Sequence, residues 1–303
     1  MRTSITYKLF AIIVKIMGIK KLLRLPENQL LEKVADINSK RPFKMPSDTL
    51  FHYEDELIFD RFHCLKIQSA KEKSKRAVLV LYGGGYVIAP MKNDLQLAKN
   101  IAKQTVSDAW FPYYPLCNEH SIRTTFAMGY EVYRRMLQCY PPENISFVGM
   151  SSGAALAIGI CQHNNVQETR LPQPRTIIAV SPGAYPFSEK EKEKMAQLSK
   201  RDIMMDAAFM PTVKKLMEHG EKVPDYMLSA ISGDFSDFPM THFYFGTEET
   251  LYAEADYYKR AYDKYRAKHT FHIGQGLCHC YATLPCFPEG KRAFREIINY
   301  LSD

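Results

Sequence analysis

The stretch Ile145-Ser146-Phe147-Val148-Gly149-Met150-Ser151-Ser152-Gly153-Ala154-Ala155-Leu156-Ala157 joins a short apolar run to an alanine-rich one through a glycine-flanked serine. The apolar run reads as a buried strand and the alanine-rich run as a helix. Strand, sharp turn and helix with serine at the apex is the setting of a nucleophile elbow. The glycines at 149 and 153 leave room for a strained turn that side chains would block. Ser151 is therefore the candidate nucleophile.

The same kind of run recurs on both sides. Ala77–Leu81, Thr176–Val180 and His242–Phe245 are continuous apolar or aromatic segments, the signature of strands covered on both faces. His269–Ile273 also reads as a strand. Asp94–Gln104, Ser121–Tyr140 and Ser152–His163 read as helices between them. This alternation predicts an α/β fold, a mostly parallel sheet covered by helices on both faces, with function at the loops leaving the C-terminal strand ends. Leu57–Phe62 and Cys64–Gln68 read as short strands in a hairpin at one sheet edge, and Lys71–Arg76 as a charged turn.

A serine hydroxyl needs a base to take its proton and donors to hold the oxyanion that forms. Tyr82-Gly83-Gly84-Gly85-Tyr86 directly follows the strand Ala77–Leu81, so Gly84 and Gly85, with the N–H of Ser152, are the candidate oxyanion donors. Of the nine histidines, His269 and His272 lie within a strand. His279 follows that strand and Gly274-Gln275-Gly276, at the same edge as Ser151, and is the candidate base. Its neighbours Cys278 and Cys280 lack the spacing of a zinc site, and no metal or other cofactor is expected. The acid should leave the preceding strand in Gly246-Thr247-Glu248-Glu249-Thr250, where spacing alone does not separate Glu248 from Glu249. Serine, then acid, then histidine is the α/β-hydrolase order.

At these residues the chain resembles the hormone-sensitive-lipase-like branch of α/β-hydrolase esterases, which includes many bacterial acetyl-esterase-type enzymes. Residues 82–86 are similar to the family's H-G-G-G motif plus aromatic. Tyr114-Pro115-Leu116-Cys117-Asn118-Glu119-His120 resembles its Y-R-L-A-P-E-H stretch, residues 149–153 match its serine elbow, and Cys278-His279-Cys280-Tyr281 resembles its histidine loop. The resemblance implies the α/β-hydrolase fold with a helical cap, and it places the acid at Glu249. It also has two departures: the first-motif histidine is Tyr82 here, and the aspartate before the nucleophile is Met150. The reading is a serine carboxylesterase for a small-molecule acyl ester of short to medium chain. The alternatives are amide or peptide hydrolysis, an interfacial lipase, or a non-catalytic ligand-binding protein on the same fold.

Residues 185–236 break the alternation with helix-like segments, a charge run from Glu189 to Lys194 and six methionines, and read as a cap insertion. Met204 and Met205, with Tyr86 and Met150, are the candidate pocket residues, because methionine makes an adaptable apolar wall. Residues 1–50 read as an N-terminal helical cap or lid segment and residues 51–303 as the catalytic domain. Near the start, Ile5, Leu9, Ile12, Ile16 and Leu23 share one helical face, with Lys8 and Lys15 beside it. A helix packed on the main domain is the expectation, and a lid or a weak membrane-surface contact the alternatives.

The 303 residues are 46% hydrophobic and 24% charged, which excludes a disordered or fibrous chain. The net charge of +7 is spread along the chain and forms no arm, so no nucleic-acid partner is expected. Seven scattered cysteines, an odd number, point to reduced thiols and a cytoplasmic location. A homodimer is compatible with this reading.

Overall fold

In a computed structural model, which describes residues 3–69 and 74–303, eight strands form one sheet. They are β1 (His52–Ile58), β2 (Phe62–Gln68), β3 (Ala77–Leu81), β4 (Asp108–Pro112), β5 (Ile145–Met150), β6 (Thr176–Val180), β7 (Met240–Gly246) and β8 (His269–Gly274). The spatial order is β1-β2-β4-β3-β5-β6-β7-β8. The β1–β2 and β2–β4 pairs are antiparallel, and every pair from β4–β3 to β7–β8 is parallel. β3 lies between β4 and β5, so successive connections leave it in opposite directions. The crevice at such a switch point is where α/β sheets place ligands, and the glycine loop and Ser151 emerge on its two sides.

The helices in chain order are α1 (Ile5–Met17), α2 (Ile19–Leu22), α3 (Glu27–Ser39), α4 (Lys92–Thr105), α5 (Ile122–Leu137), α6 (Ser152–Asn165), α7 (Glu189–Ser199), α8 (Phe209–Glu218), α9 (Asp225–Leu228), α10 (Ala255–Tyr265) and α11 (Pro288–Ser302). α4 packs with α11, and α5 packs with α6. The pleat of β7 shows the two layers. Phe243 meets Tyr258 and Tyr262 of α10, while His242 on the opposite face stacks on Tyr300 of α11 at 3.8 Å. β3, β4, β5 and β6 are buried along their whole length.

Two expectations about the sheet need correction. The first strand ends at Ile58, and Phe59 and Asp60 form the hairpin turn with φ of 54° and 57°. No strand was expected at Asp108–Pro112, yet β4 lies inside the sheet between β2 and β3. Its buried Asp108 is satisfied by the Tyr140 hydroxyl at 2.6 Å. Part of the charged turn expected at Lys71–Arg76, residues 71–73, lies outside the described residues.

The N-terminal helix packs on the main domain through the side opposite to its isoleucine stripe. Tyr7 and Val14 are buried, Tyr7 stands edge-on to Phe287 at 5.1 Å, and Ser4 donates to Glu289. Ile5, Leu9, Ile12 and Ile16 face outward. The aromatic contacts and the Ser4 anchor fix the rotation of the helix and leave the stripe in solvent. Further along, Lys20 bonds the carbonyls of Ser199 and Asp202, and Arg24 pairs with Asp206 at 2.6 Å. Asn38 of α3 donates to the Val87 carbonyl and accepts from Ala89 N–H. The segment thereby clasps both the 185–236 insertion, which holds α7, α8 and α9, and the chain leaving the glycine loop.

Candidate active site

Ser151 ends the buried strand β5 and caps α6. Its φ of 53° and ψ of −121° lie where side-chain-bearing residues are rarely found. The flanking glycines permit it. A Cβ on Gly149 would come within 2.3 Å of the Gly153 carbonyl, and one on Gly153 within 2.2 Å of that of Leu81. The Ser151 N–H is held by the Val180 carbonyl at 2.9 Å, which fixes the turn against β6.

Opposite, Gly84 and Gly85 have φ of 127° and 61°. A Cβ at Gly83 would stand 3.2 Å from that of Ser151, so the loop passes directly beside the serine. The N–H groups of Gly84, Gly85 and Ser152 have no hydrogen-bond partner among the described residues. Three unpaired donors in the loop and turn around Ser151 are what stabilisation of an oxyanion requires. Two tyrosines brace the loop. The rings of Tyr82 and Tyr114 stack at 4.1 Å and 4°, and the Tyr114 hydroxyl donates to the Tyr82 carbonyl at 2.8 Å. A phenol pair thus stands where the resemblance implies a histidine.

Glu249 and His279 are brought together from the ends of β7 and β8. His279 Nδ1–H donates to Glu249 Oε2 at 2.6 Å, and the carboxylate is fully buried. The other oxygen, Oε1, accepts from the Ser181 hydroxyl at 2.9 Å and from Gly246 N–H at 2.8 Å. Ser181 in turn accepts from Cys280 N–H at 3.0 Å and so ties the histidine loop to the end of β6. Burial pushes the Glu249 carboxyl up, opposed by the hydrogen bonds from His279 and Ser181. Burial opposes a charged His279 ring, but Cys280 and Glu249 outweigh it and hold the imidazole well above the usual histidine range. With Nδ1 committed to the carboxylate, Nε2 is the nitrogen left to exchange a proton. Glu248 is outside this arrangement and faces Arg201 at 3.5 Å.

Ser151 and His279 share an anchor. Val180 receives the Ser151 N–H, and its neighbour Ser181 receives the Cys280 N–H. No Ser151–His279 hydrogen bond occurs among the described residues. In a ligand-free site that contact is commonly long and tightens with substrate.

Above Ser151 opens a cleft with about 540 Å³ of free space, solvent at its mouth included. Its wall is apolar: Phe209, Met210, Val213 and Met217 from α8, with Leu228 and Leu251, and Gly85 and Ser151 at the floor. Tyr86 and Met205 line it as expected from sequence. Met150 and Met204 do not. Met150 is buried in the core, and Met204 packs at its margin while its N–H bonds Asp202.

A sequence profile described as alpha/beta hydrolase fold matches residues 78–283, more than half of the chain. The chain belongs to the alpha/beta hydrolase fold family. Among relatives of this α/β-hydrolase is an acetyl-hydrolase of Streptomyces hygroscopicus, 24% identical over 72% of each chain. Another is esterase LipU of Mycobacterium tuberculosis, 31% identical over 36% of each. Two solved structures share the fold at 19% identity and a TM-score of 0.80, over 100% of this chain and 99% of theirs. One is an esterase from the bacterial hormone-sensitive lipase family, and the other is a hormone-sensitive lipase from a metagenome library.

Sequence reasoning missed two residues that organise the site of this α/β-hydrolase. Ser181 has no motif, although its place at the end of β6 before Pro182 is a strand-end signal. Asp202, in the insertion, accepts from Thr250 N–H at 2.6 Å and from the N–H groups of Met204 and Met205. It fastens the cap to the residue after Glu249, and a lone aspartate in a charged stretch carries no mark of that role.

Proposed function

We propose that this α/β-hydrolase is a serine carboxylesterase acting on short- to medium-chain acyl esters through an acyl-enzyme. Ser151 Oγ attacks the ester carbonyl carbon while His279 Nε2 takes its proton. The tetrahedral oxyanion is held by the N–H groups of Gly84, Gly85 and Ser152, and Glu249 stabilises the imidazolium. His279 then protonates the leaving alkoxide. Water, deprotonated by the same nitrogen, attacks the acyl-Ser151 and releases the acid. The observation that carries this reading is the buried Glu249–His279 contact of 2.6 Å beside a glycine-flanked serine in a positive-φ turn. The names of the relatives support the ester class, and the apolar cleft suits an acyl chain more than a peptide.

Hydrolysis of p-nitrophenyl esters from acetate upward tests the proposal. The purified protein should turn them over, and Ser151→Ala should not. Equal turnover by the two would remove Ser151 from the mechanism, and peptide but no ester turnover would favour amide chemistry. The seven cysteines, none in a disulfide among the described residues, fit a reducing, cytoplasmic setting. No helix among the described residues is long and apolar enough to cross a membrane.

A further inference from the structure

Large apolar side chains exposed singly need no explanation, but a cluster does. Seven of the fifteen such side chains among the described residues fall between Ile5 and Ile19. Ile5, Leu9, Ile12, Ile13, Ile16 and Met17 are each more than half exposed and form one outward strip along α1. The opposite side of the helix is already committed to Phe287 through Tyr7, so the strip is left without a partner among the described residues.

Charge narrows what could cover it. Residues 1–26 contain six Lys and Arg and no Asp or Glu. Lys8 and Lys15 flank one edge of the strip and Lys21 lies beyond its end. All three are exposed, and none enters an ion pair among the described residues. A second copy packed on the same face would bring these lysines against one another, a like-charge contact that disfavours the dimer. An anionic bilayer surface offers the complement on both counts: an acyl boundary for the isoleucines and phosphates for the lysines. At 13 residues, α1 is about 20 Å long, short of the roughly 30 Å hydrocarbon core, so such a helix lies in the surface and does not cross it.

We propose that α1 docks this protein on anionic lipid surfaces, with Ile5, Leu9, Ile12 and Ile16 entering the acyl boundary and Lys8, Lys15 and Lys21 meeting the headgroup phosphates. Through Tyr7, which packs on Phe287, and through Lys20, which bonds the carbonyls of Ser199 and Asp202, the docked helix is fastened both to the chain ahead of α11 and to the 185–236 insertion. Esters dissolved in the lipid would then lie within reach of the site.

The test is co-sedimentation of the full chain with phosphatidylcholine vesicles, with and without phosphatidylglycerol. It is read as bound protein, so it stands whether or not the hydrolase reading does. Binding should be on the order of a hundredfold stronger on the anionic vesicles, three lysines each contributing about fivefold, and should weaken with added salt. Ile12→Glu with Ile16→Glu should abolish it while the melting temperature holds, because both side chains are exposed. Lys8→Gln, Lys15→Gln and Lys21→Gln together should bring the two vesicle types level. Wild-type protein left in the supernatant of both, or bound equally to both regardless of salt, would overturn the proposal. So would a dimer in sedimentation velocity that the Ile12→Glu, Ile16→Glu pair dissociates while vesicles bind nothing.

Discussion

The Nδ1 atom of His279 lies 2.6 Å from Oε2 of Glu249, and the second carboxylate oxygen is already filled by Ser181 and Gly246. With three hydrogen bonds on its two oxygens, the carboxylate is held in one orientation, and the ring it holds presents Nε2 outward. Replacing Glu249 by Gln removes the charge that favours the imidazolium and offers the wrong hydrogen-bonding group. A loss of about 10⁴ in kcat is expected, by analogy with other triad acids. Glu248→Gln breaks only a loose contact with a half-exposed arginine and should be mild. Side-by-side ester assays decide it, and equal losses would remove Glu249 from its role.

On the proposed mechanism the same pair sets the pH response. His279 works as a base only when neutral, and Glu249 with Cys280 holds its protonated form to higher pH than an ordinary histidine. Activity should therefore rise through neutrality, with the apparent pKa in kcat/KM above about 6.5. Cys280→Ala should move that limb to lower pH without abolishing turnover. A limb that stays in place would separate the thiol from the titration.

A second buried carboxylate, Glu254, has neither oxygen hydrogen-bonded. It lies where the turn after Glu249 packs on α7, facing Glu191 and Lys194 of that helix and Tyr258 of α10. Burial, reinforced by Glu191 against Lys194, pushes its pKa to about 8. The folded state thus keeps a proton that the unfolded chain releases near pH 4.5. Stability on this account falls as pH rises from about 4.5 and levels off above about 8. Glu254→Gln is fixed in the neutral form, so it should melt above wild type at pH 9, by up to a few kcal/mol, and close to it at pH 5. Melting curves at the two values check the crossover, and parallel curves would mean that Glu254 is ionised in the fold.

Bracing of the glycine loop by Tyr82 and Tyr114 has an internal control. The Tyr114 hydroxyl bonds the Tyr82 carbonyl at 2.8 Å, whereas the reverse bond is 3.4 Å, beyond useful strength. Tyr114→Phe should cost about tenfold in kcat with little change in KM, since it frees the carbonyl that begins the loop. Tyr82→Phe keeps the stack and should be nearly silent. Similar losses from the two variants would assign the effect to ring packing.

What was legible in sequence follows from what each feature has to announce. β3, β5, β6 and β7 are buried on both faces and read as runs that are mostly apolar or aromatic. β4 is as deeply buried, but it opens on Asp108 and ends on Pro112, and tertiary hydrogen bonds to Asp108 offset what composition disfavours. The turn at Phe59 and Asp60 carries no glycine or asparagine, so the strand before it was placed too late. At the site, Ser151 and the glycines are marked by the strained backbone they require, and His279 by its place in the loop that follows β8. Glu248 and Glu249 differ only in direction, which the fold decides, and Ser181 and Asp202 act through partners remote in the chain. The isoleucine stripe was legible as a face but not as an outward one, because Tyr7 and its contact with Phe287 determine the rotation of α1.

Phe209 supplies the remaining test, of the cleft itself. Its ring abuts the oxyanion loop so closely that a Cβ on Gly85 would fall 2.7 Å from Cε1, and Gly85 has a φ of 61° besides. Phe209→Ala should lengthen the acyl site and shift the preference toward longer esters, each newly buried methylene adding about 0.8 kcal/mol, or roughly fourfold in kcat/KM. It should also cost about 3 kcal/mol of stability, because the side chain is buried. Gly85→Ala displaces a donor and should lower turnover about a hundredfold at every chain length. Combining the two relieves the collision but not the positive φ, which costs a further 1–2 kcal/mol or so, so rescue should be partial. An acyl series measured on all three variants resolves these effects, and an unchanged chain-length profile in Phe209→Ala would place the acyl group elsewhere than against α8.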